Sequence, residues 1–182
     1  RHSFPTRRSS DLYSNWIQDA TNKLPEPAVP TIYELKQSYS KVDEYKMLSD
    51  TVLLNSVKFK PLFGSKASLE LQATIKVIKN SNITASDSEI RIATINAMNT
   101  YFDISNWNFG DTFYFSELSA YLHSEIGDLI SSAILVPNNS QLTFGDLYEI
   151  RSAPYEIFVN AAQATDIVVI SSLTADQLKP NS

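Results

Sequence analysis

One histidine, His123, lies beyond the first twelve residues of this 182-residue chain, and no cysteine occurs anywhere. A structural zinc site takes four ligands and a catalytic one takes three side chains, so a lone histidine cannot build the usual site. A Ser-His-Asp arrangement would have to use His123, but no Gly-x-Ser-x-Gly pattern is present. We therefore interpret His123 as a surface or partly buried helix residue, and we predict no metal site.

Carboxylates are the second kind of side chain that could do chemistry. Two that converge in a pocket at roughly 5–10 Å could hydrolyse a glycosidic bond. Asp111 lies beside a predicted turn and Glu117 in a predicted first helical turn, and these positions explain both residues more simply. Four glycines are too few for the usual phosphate-binding loops. We predict no catalytic residue and no cofactor. The carboxylates considered are Asp111, Glu117, Asp128, Asp146, Glu149, Glu156 and Asp166.

An aromatic group is the third candidate. Five rings fall within nine residues, at Trp107, Phe109, Phe113, Tyr114 and Phe115. Such rings could stack on sugars or bases, but they more often close a core or an interface. A carbohydrate- or receptor-binding module would expose these rings in a groove, whereas a core would bury Trp107.

The net charge of the chain limits the classes of partner that it can bind. The formal net charge is −5, and without residues 1–12 the count is 12 basic and 19 acidic residues, or −7. An acidic body is repelled by a phosphate backbone, so we predict no nucleic-acid partner. The longest apolar runs, such as Ile167–Ile170, are far below the roughly 20 residues of a membrane span, so we predict no membrane partner.

We interpret residues 1–12 separately from the rest of the chain. Residues 2–12, HSFPTRRSSDL, resemble the in-frame translation of a common short-read sequencing adapter over eleven consecutive positions. We interpret 1–12 as an adapter artefact, expect it to be disordered or loosely attached, and expect the true gene to continue upstream. Residues 13–49, with Pro25, Pro27 and Pro30, are predicted to be an extended arm or linker, and 50–182 an α+β domain.

The elements that must position these side chains follow from periodicity. KASLELQATIKVIK alternates apolar and polar residues from Ala67 to Val77, which predicts a half-buried strand with one wet face. The preceding VLLNSVKFKPLFG predicts a strand that ends at Pro61 and Gly64. Four later strands are predicted from ISSAILVP, which ends at Pro137, and from LYEIRSA, PYEIFVNA and DIVVISSL.

Two helices are predicted between these strands. Ser86 and Glu89 form a capping-box pattern before a helix whose apolar side is Ile92, Ile95, Met98 and Phe102. Ser116 is predicted to cap a second helix, which carries Leu118, Leu122 and Ile126 and stops at Gly127. The predicted class is α+β, a mostly antiparallel sheet with two helices packed on one face, preceded by an extended N-terminal arm.

A resemblance adds to this interpretation. The block from Trp107 to Leu118, WNFGDTFYFSEL, closely resembles the C-terminal region of the baseplate wedge subunit of contractile-tailed phages, which is related to the baseplate J-like family. Blocks in the same order extend the resemblance over roughly 45–170: VLL at 52–54, FKP at 59–61, ATIKV at 73–77 and FGDLYEIR at 144–151. The signature residues are Trp107, Phe109, Gly110, Asp111, Phe113, Tyr114, Phe115, Glu117, Gly145 and Arg151.

The resemblance implies a structural protein of the virion that has no catalytic residues. Members of that family pair with copies of themselves and with neighbouring wedge proteins, and they join wedges into a ring around the tail hub. For this chain it implies a homodimer or higher self-association, other baseplate wedge proteins as partners, and a place in the phage tail baseplate after assembly in the host cytoplasm. The aromatic block is then expected to hold the domain together.

Overall fold

The computed structural model describes residues 7–19, 21, 23–28, 31–39, 58–143 and 145–170. The chain divides into two compact units, Arg1–Val57 and Lys58–Ser182, and each is described by itself. Residues 1–6 of the presumed adapter, Pro30 of the presumed arm and residues 52–57 of the strand predicted from VLLNSVKFKPLFG lie outside the described residues.

The first unit contains two helices where we predicted an adapter remnant and an extended arm. Helix α1 spans Arg7–Gln18, so it crosses the predicted boundary at residue 12, and helix α2 spans Ile32–Tyr39. Residues 23–28, with Pro25 and Pro27, contain no helix or strand. Helix α2 begins with a capping box, because Glu34 accepts from the Thr31 amide (2.8 Å) and Thr31 Oγ1 accepts from the Glu34 amide (3.3 Å). The expectation of a wholly extended arm is therefore wrong.

The second unit confirms the α+β class. Its strands are β1 (Lys58–Leu62), β2 (Ala73–Lys79), β3 (Thr112–Tyr114), β4 (Ile130–Pro137), β5 (Glu149–Arg151), β6 (Glu156–Asn160) and β7 (Ile167–Ile170). They form a three-stranded sheet in the order β4-β2-β7 and two pairs, β1-β6 and β3-β5. Pairs β2-β4 and β3-β5 are antiparallel, whereas β1-β6 and β2-β7 are parallel, so the pairing is mixed.

Strand β2 is buried on both faces, which corrects the predicted wet face. Thr74 and Lys76 are each 5% exposed, while Ile75 and Val77 on the other face are fully buried. Burial lowers the pKa of Lys76. The strand also begins later than predicted, since Leu69–Leu71 form a 3-10 turn. Strand β2 has a neighbour on each side, and a central strand can be covered on both faces despite polar alternation.

Helices α3 (Asp87–Tyr101) and α4 (Phe115–Ile126) pack on each other, with α3 against β7 and α4 against β4. The predicted Ser86–Glu89 capping box is confirmed, but Ile92 is 57% exposed and Ile90 takes its place in the core. The cap of α4 is Tyr114, which makes no side-chain cap bond, so the predicted Ser116 cap is wrong. Strand β3, Thr112–Tyr114, lies between the two helices along the chain and pairs with β5.

Just after β1 the backbone at Gly64 passes very close to the backbone at Ala161. Pro61 lies inside β1, contrary to prediction, and pairs with Val159 of β6. Phe63 follows with φ 74° and is fully buried. Gly64 then passes so close to the carbonyl of Ala161 that an added Cβ would lie 1.7 Å from its oxygen. This approach seats the Phe63 ring in the core, where it meets Phe102 and Phe113 at ring-centroid distances of 6.0 and 5.5 Å.

Candidate functional site

The aromatic block begins where helix α3 ends. Asp103 accepts from the Ser105 amide (2.8 Å) and starts a short 3-10 turn, Ile104–Asn106, that reverses the chain. Trp107 follows, partly buried, and its indole N–H donates to the carbonyl of Tyr101 (3.0 Å). Its ring stacks on Phe102 at 5.6 Å and 11°, and Phe158 meets it edge-on at 5.1 Å. The indole is held on its face, its edge and its nitrogen.

Phe113 stands at the centre of the aromatic cluster and is fully buried. Its ring lies 5.5 Å from Phe63, 5.5 Å from Phe102 and 6.4 Å from Phe158. Three separate segments of the chain therefore converge on one ring of β3. Edge-to-face and offset contacts of this kind contribute on the order of 1 kcal/mol each beyond burial.

A turn joins Trp107 to β3 and contains two signature residues. Asp111 accepts from the Asn108 amide (2.7 Å), and Gly110 has φ +78°, which a glycine adopts without strain. The Asp111 carbonyl accepts from both the amide (3.0 Å) and the hydroxyl (2.8 Å) of Ser152. Asp111 therefore shapes the turn and ties it to the segment after β5, so its carboxylate already has a structural role.

The other signature residues divide between core and surface. Phe115 is 2% exposed and meets Tyr148 at 5.2 Å, whereas Phe109 is 48% and Tyr114 40% exposed. Arg151 is exposed and pairs with Glu149 at 2.8 Å, across the β3-β5 ladder from Thr112. Glu117 is exposed in the first turn of α4. Gly145 has φ +105° in the loop before β5, and Phe144 beside it lies outside the described residues.

One tyrosine next to the cluster has a perturbed titration. Burial, with a smaller contribution from the Glu117 carboxylate, raises the pKa of Tyr101 to about 12. Its ring meets Trp107 at 5.6 Å and Tyr121 of α4 at 5.3 Å. A tyrosine whose ionised form is disfavoured in this way is suited to packing rather than to proton abstraction near neutral pH.

The remaining carboxylates are engaged in turns, caps and ion pairs. Asp146 accepts from the Thr143 amide (2.6 Å), and Asp166 accepts from the Gln163 amide (2.8 Å). Glu156 accepts from the Ala153 amide (3.0 Å) and lies 3.3 Å from the Lys60 ammonium. Burial alone would raise the pKa of Glu156, but the Ala153 amide and the two lysines Lys60 and Lys58 together lower it.

No group of three or more potential metal ligands was found among the described residues. His123 is exposed on α4, and it lines a groove between α4 and β4 that includes no carboxylate among its lining residues. None of the described helices is long and apolar enough to span a bilayer.

Several residues of the aromatic cluster were not apparent from the sequence. Phe63 and Phe158 lie in separate strand segments, 44 and 51 positions from Trp107 by their numbers, and nothing local indicates that they meet it. Ser152 donates a hydrogen bond to the Asp111 carbonyl from a loop, and nothing in the local sequence indicated this contact either. The apolar residues of LFG and EIFVN were the only signal. They predict that Phe63 and Phe158 are buried, but not which residues they contact.

Comparisons with family models, with curated proteins and with solved structures gave no match. The resemblance to the baseplate wedge subunit rests on the sequence blocks themselves.

Proposed function

We propose that this chain is a structural component of a phage tail baseplate that assembles wedges by self-association and by contacts with other baseplate proteins. Its place would be the virion, at the tail baseplate. The observation that carries the proposal is the aromatic block WNFGDTFYFSEL, which carries the resemblance and whose Trp107, Phe113 and Phe115 pack into the interior. This packing supports a structural role for the block.

The hydrogen bonds and the ion pair made by the carboxylates support an assembly role rather than a hydrolytic one. A carboxylate pair for hydrolysis needs both groups free to meet a substrate at roughly 5–10 Å from one another. The carboxylates instead accept hydrogen bonds from backbone amides, as at Asp111, Asp146 and Glu156. Glu156 also forms an ion pair with Lys60.

A carbohydrate- or receptor-binding role for the Trp107–Phe115 aromatics is the alternative, and the packing of Trp107 weighs against it. Sugar recognition by stacking needs an open ring face. One face of Trp107 is stacked on Phe102, its edge meets Phe158, and its N–H is bonded to Tyr101. The exposed rings of the block, Phe109 and Tyr114, are 48% and 40% accessible.

Light scattering coupled to size-exclusion chromatography tests the proposal on the full chain. We expect a dimer or larger species at micromolar concentration, with an interface above about 1,000 Å² of total buried area. A monomer at every accessible concentration would refute the self-association. A glycan array tests the alternative in parallel, and specific binding lost in Phe109→Ala but kept in Ile92→Ala would favour it.

A further inference from the structure

The exposed aromatic side chains among residues 58–143 and 145–170 all belong to one part of the chain. They lie on two segments that run side by side, 109–114 and 148–156. The four rings are Phe109, Tyr114, Tyr148 and Tyr155, each between 37% and 49% exposed. Single exposed hydrophobic residues are ordinary on a protein surface, whereas a concentration of them marks an interaction site.

The outer face of the β3-β5 pair carries one of these rings together with an ion pair. Tyr114 lies opposite Glu149 in the ladder, and Arg151, two positions along β5, points to the same face. The Arg151 guanidinium lies 2.8 Å from the Glu149 carboxylate. Tyrosine and arginine are among the side chains that most often supply the binding energy of protein interfaces.

Two more rings lie beside this face, beyond the end of β3. The Gly110 amide donates to the Glu156 carbonyl (3.4 Å), which joins the backbone next to Phe109 to the backbone next to Tyr155. The face and these two rings together are called the ribbon surface below. Its members are Phe109, Tyr114, Glu149, Arg151 and Tyr155.

Charges are balanced around the ribbon surface, although the domain is acidic. The two segments and the neighbouring β1 carry three basic and three acidic residues: Lys58, Lys60, Arg151, Asp111, Glu149 and Glu156. Residues 58–170 contain seven basic and twelve acidic residues, so the other four and nine carry the whole net charge of −5. Lys58 and Arg151 are also the two basic side chains classed as exposed in the described part of this unit. Two copies can therefore meet here without net repulsion.

The exposed rings are large enough to form the centre of an interface. An aromatic side chain buries about 150–250 Å² in full, so three rings that are 40–49% exposed offer roughly 300 Å² in each copy. An interface of about 1,000 Å² in total needs about 500 Å² from each copy. Lys58 and Arg151, whose side chains are 71% and 79% exposed, can supply much of the remainder.

We propose that a second copy of this chain docks on the ribbon surface through its own ribbon surface, around a twofold axis. Phe109 and Tyr155 of the two copies pack on each other, and Arg151 of each copy faces Glu149 of the other. The contact is isologous, so it closes at two copies. This inference rests on the proposed self-association and assigns it a surface.

Sedimentation equilibrium of the full chain with two matched variants tests the surface. Tyr155→Glu places a negative charge on the ribbon surface, and Ile92→Glu places one at a similarly exposed apolar position on α3, outside it. We expect a wild-type dimer and an unchanged dissociation constant in Ile92→Glu. The dissociation constant of Tyr155→Glu should be at least about tenfold higher, because a central aromatic side chain is lost.

A mixture of two charge variants tests the pairing across the twofold axis. Arg151→Glu makes the ribbon surface negative, and Glu149→Arg makes it positive. We expect each variant alone to dimerise more weakly than the wild type, and an equimolar mixture of the two to form a heterodimer tighter than either homodimer. A mixture that associates no more tightly than the separate variants overturns the proposed pairing.

The outcomes separate the two proposals. A wild-type dimer with Tyr155→Glu as tight as the wild type, or with Tyr155→Glu and Ile92→Glu equally weakened, overturns the ribbon surface and leaves self-association standing. A wild-type monomer overturns both. Tyr155→Ala replaces Tyr155→Glu if circular dichroism shows that the first variant is not folded.

Discussion

Trp107 shows how one residue can be central to a motif without being a binding residue. Its indole fills the space between the end of α3 and strand β6, with Phe102 on its face and Phe158 at its edge. The bond from its N–H to Tyr101 satisfies the one polar atom of the ring. Phe109, two positions away in the same block, is 48% exposed. The two aromatics should therefore respond differently to removal.

Trp107→Ala should lower the free energy of unfolding by about 3 kcal/mol, because it removes ring packing and leaves a cavity. Phe109→Ala should cost about 0.5 kcal/mol or less, as expected for a surface position. Equilibrium urea unfolding of both variants measures the difference. Equal, small costs for the two variants would mean that Trp107 does not anchor the cluster.

Glu156 should make part of the stability depend on pH. Its pKa is lowered in the folded state, so its contribution is fully present above the ordinary glutamate pKa of 4.5 and is lost as pH falls through the lowered folded value. Glu156→Gln should therefore show a smaller loss of stability between pH 7 and pH 3 than the wild type. Urea midpoints at the two pH values measure this, with the exposed Glu125→Gln as the control. An unchanged pH dependence in Glu156→Gln would remove the role of the Lys60 pair.

At the scale of the element, the sequence predicted what local periodicity and capping determine. Helix α3 and its capping box, strand β4 to Pro137, and the strands around 149–151, 156–160 and 167–170 all form. The two faces of β2 were not predictable, because burial of Thr74 and Lys76 depends on what covers the sheet. Helix α2 was missed although Thr31 and Glu34 carried its capping signal, since the nearby prolines favoured an extended chain.

The candidate site was predictable in composition but not in arrangement. The spacing of Trp107 to Phe115 identified an aromatic group, and Gly110 with Asp111 identified the turn. The sequence did not indicate which rings of the block are buried. In the structure Phe113 and Phe115 are buried, while Tyr114 between them is exposed. The pairing of β3 with β5 makes that choice, and this contact is distant in sequence.

Gly64 should be the most sensitive glycine at this scale. A Cβ there would meet the Ala161 carbonyl oxygen at 1.7 Å, and backbone cannot rotate away as a side chain can. Gly64→Ala should cost more than about 3 kcal/mol through forced displacement of β1 from β6. Gly110→Ala, with its Cβ at an ordinary 3.5 Å from Pro154, should cost about 1–2 kcal/mol from φ alone. Thermal unfolding ranks the two, and the reverse order would contradict the close approach.

At the scale of the whole molecule, an acidic domain with a net charge of −5 over residues 58–170 contains a packed aromatic interior. The interior explains why one ring face of Trp107 and its indole N–H are already engaged. Two copies of net negative charge repel each other, so the proposed self-association needs a surface where like charges do not lie opposite each other.

Sedimentation equilibrium of the full chain tests the proposed self-association most directly. We predict a dimer or a larger species at micromolar concentration, held by an interface above about 1,000 Å² of total buried area. A chain that stays monomeric at every accessible concentration would contradict the proposed self-association.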